Sequence, residues 1–466
     1  MVLAAASSYN DIDKKESSNS AKRILAFAVF VSLVSILAII YAQLFLAYSV
    51  YGLAIFYTIW GGYHFVVALA GYKPPKESGQ LTSTGPILPK VSIIIPARNE
   101  PILSRTIEAC LKHTDYPIDK KEIVVVVDDA EGERIGFWYQ QKYPQNVKLL
   151  SRRKMYPTKP SALNDSIHQC TGEIIGIMDV EDIPDRDVFL KAASALSPPD
   201  QMASQAILRI SNPQDSWISN IFSMEYAGWF RVLLNGRSKL GLYAPLGGTG
   251  NYFKKSALSH VGLYDATNLA EDAELSIRLL IAGWNVGVLN ARHWEEAPVS
   301  FSAWLKQRTR WYRGWLQSLW KYIPVMLSPK NLERIGLLGT FSTLMMLVAP
   351  LIVVLNCLSY GLTFLWLLEI SGIVPLQLMT NITFPFWVAA PVLFNALYLF
   401  IWLKGAILEG VPLQHLHKLL PQMMWYMNIM MPIAASRALY QEIFKPIVWE
   451  KTIHEGRGVI WGKPKS

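Results

Sequence analysis

Apolar residues collect at the two ends of this 466-residue chain, while the middle alternates short apolar runs with amphipathic ones. From Ile24 to Tyr72 the sequence is almost free of charge. That length accommodates two membrane-spanning helices of about 20 residues each, placed at 24–45 and 49–71 with an uncharged turn near Gln43–Ser49. Apolar character returns after Trp320, with spans expected near 336–357, 384–403 and 419–440. A further span at 358–378 is weakened by Glu369 and Pro375, so the C-terminal count is three or four. The stretch Lys404–Lys418, with Glu409, His415 and His417, reads as a cytoplasmic loop or an interfacial segment. Between the ends, Val91–Ile95, Ile123–Val127, Ile174–Met178 and Ala206–Ile210 read as strands. The first three are continuous apolar runs, as in strands covered on both faces. Alternation with helical patterns predicts βαβ units and a parallel sheet, whose ligands gather at the carboxyl ends of the strands. The fold class is therefore α/β plus membrane α-helical.

Charge adds an orientation. Lys14, Lys15, Lys22 and Arg23 precede the N-terminal hairpin, and Lys73, Lys76 and Lys90 follow it. Positive residues stay on the cytoplasmic side, which puts the N-terminus and the middle domain there, in a multi-pass protein of the plasma membrane with lipids as partners. The formal charge of +9 comes with no basic tract or nucleic-acid motif, which excludes nucleic acid as a partner. The expected divisions are a disordered tail (1–23), two transmembrane helices (24–72), a Pro/Gly/Ser/Thr linker (73–90), the α/β domain (91–298), interfacial amphipathic helices (299–333), three to four transmembrane or interfacial helices (334–443) and a cytoplasmic tail (444–466). No signal peptide is expected, because the first twenty residues are polar and the apolar run after them is too long. Cys110, Cys170 and Cys357 lack metal-like spacing and read as reduced packing residues.

The chemistry falls at the strand ends. In VSIIIPARNE (91–100) a strand meets a turn able to pass over a nucleotide. IVVVVDDA (123–130) places two acids after a buried strand, where an interior position is costly; Asp128 either accepts a hydrogen bond from a base or ribose, or caps a helix. KPSALN (159–164) opens a helical pattern, and Lys159 there faces an anion or solvent. In Asp179-Val180-Glu181-Asp182 the acids at i and i+2 of an extended chain point the same way. Asp179 and Glu181 would then share a Mg2+ or Mn2+ ion; the alternative is an acidic turn before Pro184. GGTGN (247–251), with Gly248 and Thr249, lets backbone approach a ligand. Glu271-Asp272-Ala273-Glu274 precedes a helical run as a cap or as the source of a general base. Finally QRTRWYRGW sets Gln307, Arg310 and Trp311 on one helix face, an amide, a guanidinium and an indole suited to a sugar diphosphate. Tryptophans mixed with Lys306, Arg308, Arg310 and Arg313 make 301–320 an in-plane interfacial helix.

In order and spacing, PARNE, VVDD, KPSALN, DVED, GGTGN, AEDAE, QRTRW and WEKTIH (449–454) resemble the membrane-integrated, inverting family 2 glycosyltransferases, which include cellulose, curdlan and hyaluronan synthases. The resemblance implies a nucleotide-sugar-binding mixed-sheet domain of GT-A type flanked by transmembrane helices. It implies that Asp128 binds uridine, that Lys159 and Asp179 contact the nucleotide, and that Asp179 and Glu181 hold the metal. Glu181 stands where aspartate is commoner, which bears on metal preference. Asp272 matches the general base, and Gln307, Arg310 and Trp311, with Gly248 and Thr249, match the diphosphate and acceptor site. The implied reaction moves a hexose from a UDP-sugar to a growing β-glycan with coupled extrusion. A single transfer to a lipid acceptor fits the same motifs; a non-catalytic transporter or scaffold is the reading from another class.

Overall fold

The computed structural model describes residues 25–37, 42–75, 88–152, 158–373, 386–411, 413 and 416–445. The N-terminal tail, linker residues 76–87 and the WEKTIH stretch lie outside them.

Eight strands form one sheet, β1 (Val91–Ala97), β2 (Lys121–Val127), β3 (Val147–Ser151), β4 (Ile174–Ile177), β5 (Ile183–Pro184), β6 (Ala203–Ile210), β7 (Asn251–Lys254) and β8 (Val286–Glu295), in the order β3-β2-β1-β4-β7-β6-β8-β5. The β-branched runs of β1 and β2 pair in parallel and send alternate residues into different layers. Ile93 and Ile95 pack with Leu103, Ile107 and Phe189, while Ile94 packs with Leu163 and Phe222. The parallel pairing read from the βαβ pattern holds for β1 to β4 and for β6 with β8, and the sheet is mixed, as the resemblance implies. β7 runs antiparallel to both neighbours, β4 and β6, and β5 is antiparallel to β8. β7 is four residues long, begins with asparagine and ends with lysine, too short and polar to announce itself. Cys110 and Cys170 are buried thiols, and Cys357 is an exposed one.

At the N-terminal end, α1 (Ala42–Gly71) runs unbroken through Gln43–Ser49, where a turn was expected; a shorter apolar helix, Leu25–Leu37, precedes it. Toward the other end come α2 (Ala130–Lys142), α3 (Lys159–Ile167), α4 (Trp217–Tyr226), α5 (Glu271–Ile281) and α6 (Phe301–Met326), then α7 (Pro329–Leu347), α8 (Ala349–Ile370), α9 (Phe386–Glu409), α10 (Leu416–Trp425) and α11 (Met431–Phe444). Among the described residues three helices are long and apolar enough to cross a membrane: Leu46–Gly71, Ala349–Ile370 and Val388–Glu409. The break between spans falls at Val348, not near 357, because Pro350 occupies the first turn of α8, where its missing N–H costs nothing.

The sheet domain is seated on these helices by close backbone crossings. α4 continues through a π-helical stretch, Ala227–Leu234, to Lys239 between α1 and α9. A Cβ on Gly236 would lie 1.9 Å from the Val67 carbonyl oxygen, and one on Gly405 only 2.4 Å from the Gly228 nitrogen, so only glycine allows these contacts. A second tie is ionic. The carboxylate of Glu409, at the end of α9, meets Arg209 of β6 at 3.0 Å, Arg292 of β8 at 2.9 Å and Arg231 at 3.3 Å.

Candidate active site

The carboxyl ends of β1, β2 and β4 open onto a cavity of about 570 Å³. Asp128 enters it after β2, Lys159 from the head of α3, and Asp179 and Glu181 after β4. Gly248 and Thr249 come from the loop before β7, Asp272 from the first turn of α5, and Gln307, Arg310 and Trp311 from α6. All ten residues singled out in the sequence therefore line one cavity.

The two acids after β2 divide the work between them. Asp129 caps α2, its Oδ1 accepting from the Gly132 N–H at 2.9 Å and its Oδ2 from that of Asn99 at 2.8 Å. Asn99 adopts a left-handed φ of 54° in the turn after β1, a conformation asparagine tolerates. Asp128 turns inward, with Oδ2 3.4 Å from Arg152 Nη1 and Oδ1 buried without a hydrogen-bond partner. Arg152 also donates to Asp165 at 2.8 Å and to Ser161 at 2.9 Å, and no motif announced it.

Lys159 is the hinge of the charged end. Its ammonium donates to the Gly248 carbonyl at 2.7 Å and pairs with Asp179 Oδ1. A Cβ on Gly248 would lie 3.5 Å from Lys159 Nζ, 3.6 Å from Asp272 Oδ2 and 3.9 Å from Asp179 Oδ2. Three charged ends thus converge over the bare face of one glycine. Burial disfavours the lysine's charge, but Asp179, Glu271 and Asp272 outweigh it and hold its pKa above the usual range.

The acids 179–182 do not lie on an extended chain. The Asp182 N–H bonds back to the Asp179 carbonyl at 3.2 Å, so Asp179 and Glu181 reach the cavity from a turn. Asp182 is fully buried beneath it, accepting from the Thr249 hydroxyl, which in turn accepts from the Asp179 N–H at 3.0 Å. Burial and the Asp179 charge push the Asp182 carboxyl up to about 8. Among the described residues, no three His, Cys, Asp or Glu side chains form a closed metal cage. Asp179 and Glu181 supply hard oxygen donors on the cavity wall, which fits a divalent ion whose shell a diphosphate completes.

At the head of α5, Asp272 Oδ1 accepts from the Ala273 N–H at 2.7 Å. Burial raises its pKa, opposed by that N–H, Lys159 and Arg310. Next to it, burial and the Asp272 charge push Glu271 up to about 7. A carboxylate so placed takes up a proton more readily than an exposed aspartate.

On α6, Gln307 presents a buried Oε1 without a hydrogen-bond partner. Two of the cations on this helix, which reads as interfacial from its sequence, lie inside the protein. Arg308 forks onto Glu225 at 2.8 and 2.6 Å, and Arg313 pairs with Glu442 of α11 at 3.1 Å. The helix packs along α11 with Trp304, Tyr312, Leu316 and Leu319 buried, so its apolar stripe meets protein. The Arg308 guanidinium also lies 4.8 Å from the Trp311 ring centre, backing the indole with a cation. Tyr426, beyond the last span, donates to the same Glu225 at 2.6 Å.

Residues 89–314 match the family described as "Glycosyltransferase like family 2". They form a family 2 glycosyltransferase domain. The chain is 30% identical to a probable glycosyltransferase, YdaM, of Bacillus subtilis over 49% of its own length and 55% of the relative's. It is 28% identical to a beta-monoglucosyldiacylglycerol synthase of Synechocystis sp. over 54% and 53%. Against a poly-beta-1,6-N-acetyl-D-glucosamine synthase of Staphylococcus epidermidis it is 26% identical over 57% and 65%. The chain therefore spans between about half and two thirds of these relatives. A mannosyltransferase of Pyrobaculum calidifontis, solved with GDP-Man and Mn2+, shares the fold with a TM-score of 0.53 at 19% identity, over 85% of this chain and 99% of that one. The family 2 domain thus includes α6 through Gly314, and the long apolar helices around it lie largely beyond the matched segment.

Proposed function

We propose that this domain transfers a hexose from a UDP-sugar to an acceptor hydroxyl in a single inverting displacement. The observation that carries the reading is the convergence of Lys159, Asp179 and Asp272 over Gly248. Asp128, steadied by Arg152, accepts a hydrogen bond from the uridine, and its unpartnered Oδ1 leaves it a free acceptor. Lys159 and Arg310 bind the diphosphate. Asp272 takes the proton from the acceptor hydroxyl, the oxygen forms its bond to the anomeric carbon, and UDP leaves with the electron pair of the broken bond. A side chain at Gly248 would occupy the space where the donor approaches. A Mg2+ or Mn2+ ion held by Asp179 and Glu181 would offset negative charge on the departing diphosphate.

Two acceptors suit the site. Trp311 and Trp315 line the cavity and offer flat faces to a sugar ring, which favours a growing β-glycan carried outward by the spans. The apolar wall beyond them favours a lipid that receives one sugar. The lysines flanking the N-terminal helices support a cytoplasmic catalytic face in the plasma membrane. A transporter or scaffold has no use for a carboxylate of raised pKa beside a lysine and an arginine. The test is to incubate purified membranes with a panel of nucleotide sugars and measure UDP release and product size. No UDP from any donor refutes the transferase reading; an alkali-resistant polymer or a single-sugar lipid decides the acceptor.

A further inference from the structure

The same cavity continues past Trp311 and Trp315 between the membrane helices. On α8 it is lined by Ala349, Ile352, Val353 and Asn356, spaced i, i+3, i+4 and i+7 and so on one face. Seven residues of helix make this arm about 10 Å long. Met346, Met427 and Met431 close other sides of it. Aromatic rings of Trp60, Phe394, Tyr398 and Trp402 share this wall, and polar groups interrupt it: the amides of Asn356 and Asn395, 5% and 2% exposed, the His64 imidazole and the Tyr398 hydroxyl.

These asparagines form a built site. The Asn356 amide donates to Asn428 at 3.1 Å. The Asn395 amide donates to the Tyr360 hydroxyl at 2.8 Å, to the Pro391 carbonyl at 2.9 Å and to Asn356 Oδ1 at 3.4 Å. Asn395 Oδ1 is buried with no hydrogen-bond partner. A buried carbonyl left unpaired is costly, and polar side chains inside membrane segments mark ligand paths. Asn428 sits in a π-helical turn, Tyr426–Met430, a distortion frequent at functional sites.

Resting on the transferase reading above, we infer that this arm binds the apolar body of a lipid acceptor, and that Asn395, held by Asn356 and Tyr360, accepts a hydrogen bond from a hydroxyl or amide N–H in that lipid. The aliphatic face of α8 and the methionines argue against a glycan. A β-glycan carries hydroxyls along both edges, and those facing Ala349, Ile352, Val353 and the methionines would go unpaired at a cost per group. A lipid leaves nothing unpaired there and supplies a donor only where Oδ1 waits.

The test uses the purified full chain in detergent micelles, with the nucleotide sugar that releases most UDP. Acceptors are dioleoylglycerol, N-oleoylsphingosine and, as the glycan arm, cellopentaose. One sugar should appear on a lipid. Asn395→Leu should raise the KM for N-oleoylsphingosine about tenfold, the loss of one hydrogen bond of about 1.4 kcal/mol, with the donor KM within about twofold of the parent. Dioleoylglycerol, whose single hydroxyl is the reacting one, has no donor left for Asn395 and serves as the control, whereas N-oleoylsphingosine keeps a second hydroxyl and an amide N–H, so the tenfold shift is expected with the sphingolipid. Val353→Trp fills the arm without touching the asparagines, and should abolish lipid transfer while UDP release to water persists, which also shows that the variant is folded. Transfer to cellopentaose alone, polymer formation, or an unchanged sphingolipid KM in Asn395→Leu overturns the lipid assignment and leaves the transferase reading standing. Absence of UDP release from every donor overturns both.

Discussion

At the sheet end of the cavity, Lys159, Asp179 and Asp272 converge around a single glycine. At the other end the wall is methionine, isoleucine, valine, alanine and aromatic rings, and its polar members are the amides of Asn356 and Asn395, the Tyr398 hydroxyl and the His64 imidazole. Two acids beside these helices are tied down: Glu409 by three arginines, Glu225 by Arg308 and Tyr426. The difference follows from what each end must exclude. The proposed diphosphate would offset the burial of cations and the proximity of acids, because each charge would find an opposite one. A low-dielectric arm has no such compensation, so recognition there is left to dipoles. The boundary between the halves is drawn by Trp311, whose indole has Arg308 beside it.

The sharpest way to break this contrast is at the charged end. Asp272→Asn should lower transfer about 10³-fold, the scale of a lost general base, with UDP still bound in an equilibrium assay. Retention of more than about a tenth of the parental rate would remove Asp272 from its role. At the boundary, Arg308→Gln strands Glu225 and should destabilise the protein by about 3 kcal/mol, visible as earlier thermal unfolding in detergent. A variant as stable as the parent would mean that the fork is ornamental. Gly248→Ala is a finer probe. Its methyl would stand at 3.5 Å or more from its neighbours, so the empty protein accommodates it. The donor KM should nevertheless rise about tenfold, and an unchanged KM places the donor elsewhere.

The smallest expected effect is in pH. Asp272 and Glu271 both titrate above the ordinary carboxylate range, Glu271 at about 7. The base must be deprotonated, so the rate falls as pH drops, and the acid limb belongs to the pair. Glu271→Gln removes a like charge and should move that limb downward; a limb already at ordinary carboxylate values would contradict the burial argument. The linked stability runs the other way. The folded state holds extra protons between the ordinary Glu value of 4.5 and about 7, so stability declines as pH climbs through that window.

The same contrast explains what could be read from the chain alone. Acids and glycines at strand ends are local signals, since the ligand demands particular residue types within a few positions of each other, and all ten face one cavity. Spacing failed where backbone hydrogen bonding intervened. The acidic quartet reads as extended until the Asp182 N–H closes a turn. It failed again where partners are distant. Tyr426 and Glu225 are 201 positions apart, and nothing near either announces the other. β7 is invisible for a third reason, because its pairing is supplied by β4 and β6 and not by its own four residues.

The Glu409 cluster bears on how the protein can be taken apart. Arg209, Arg231 and Arg292 belong to the segment 89–314, while their shared counter-charge arrives from a helix almost a hundred residues later. An excised catalytic fragment would inherit three cations and lose the anion that gathers them, along with the glycine-to-glycine contact at Gly405. Such a fragment should be recovered aggregated, and fusing or co-expressing α9 in trans should rescue its solubility only if Glu409 is present.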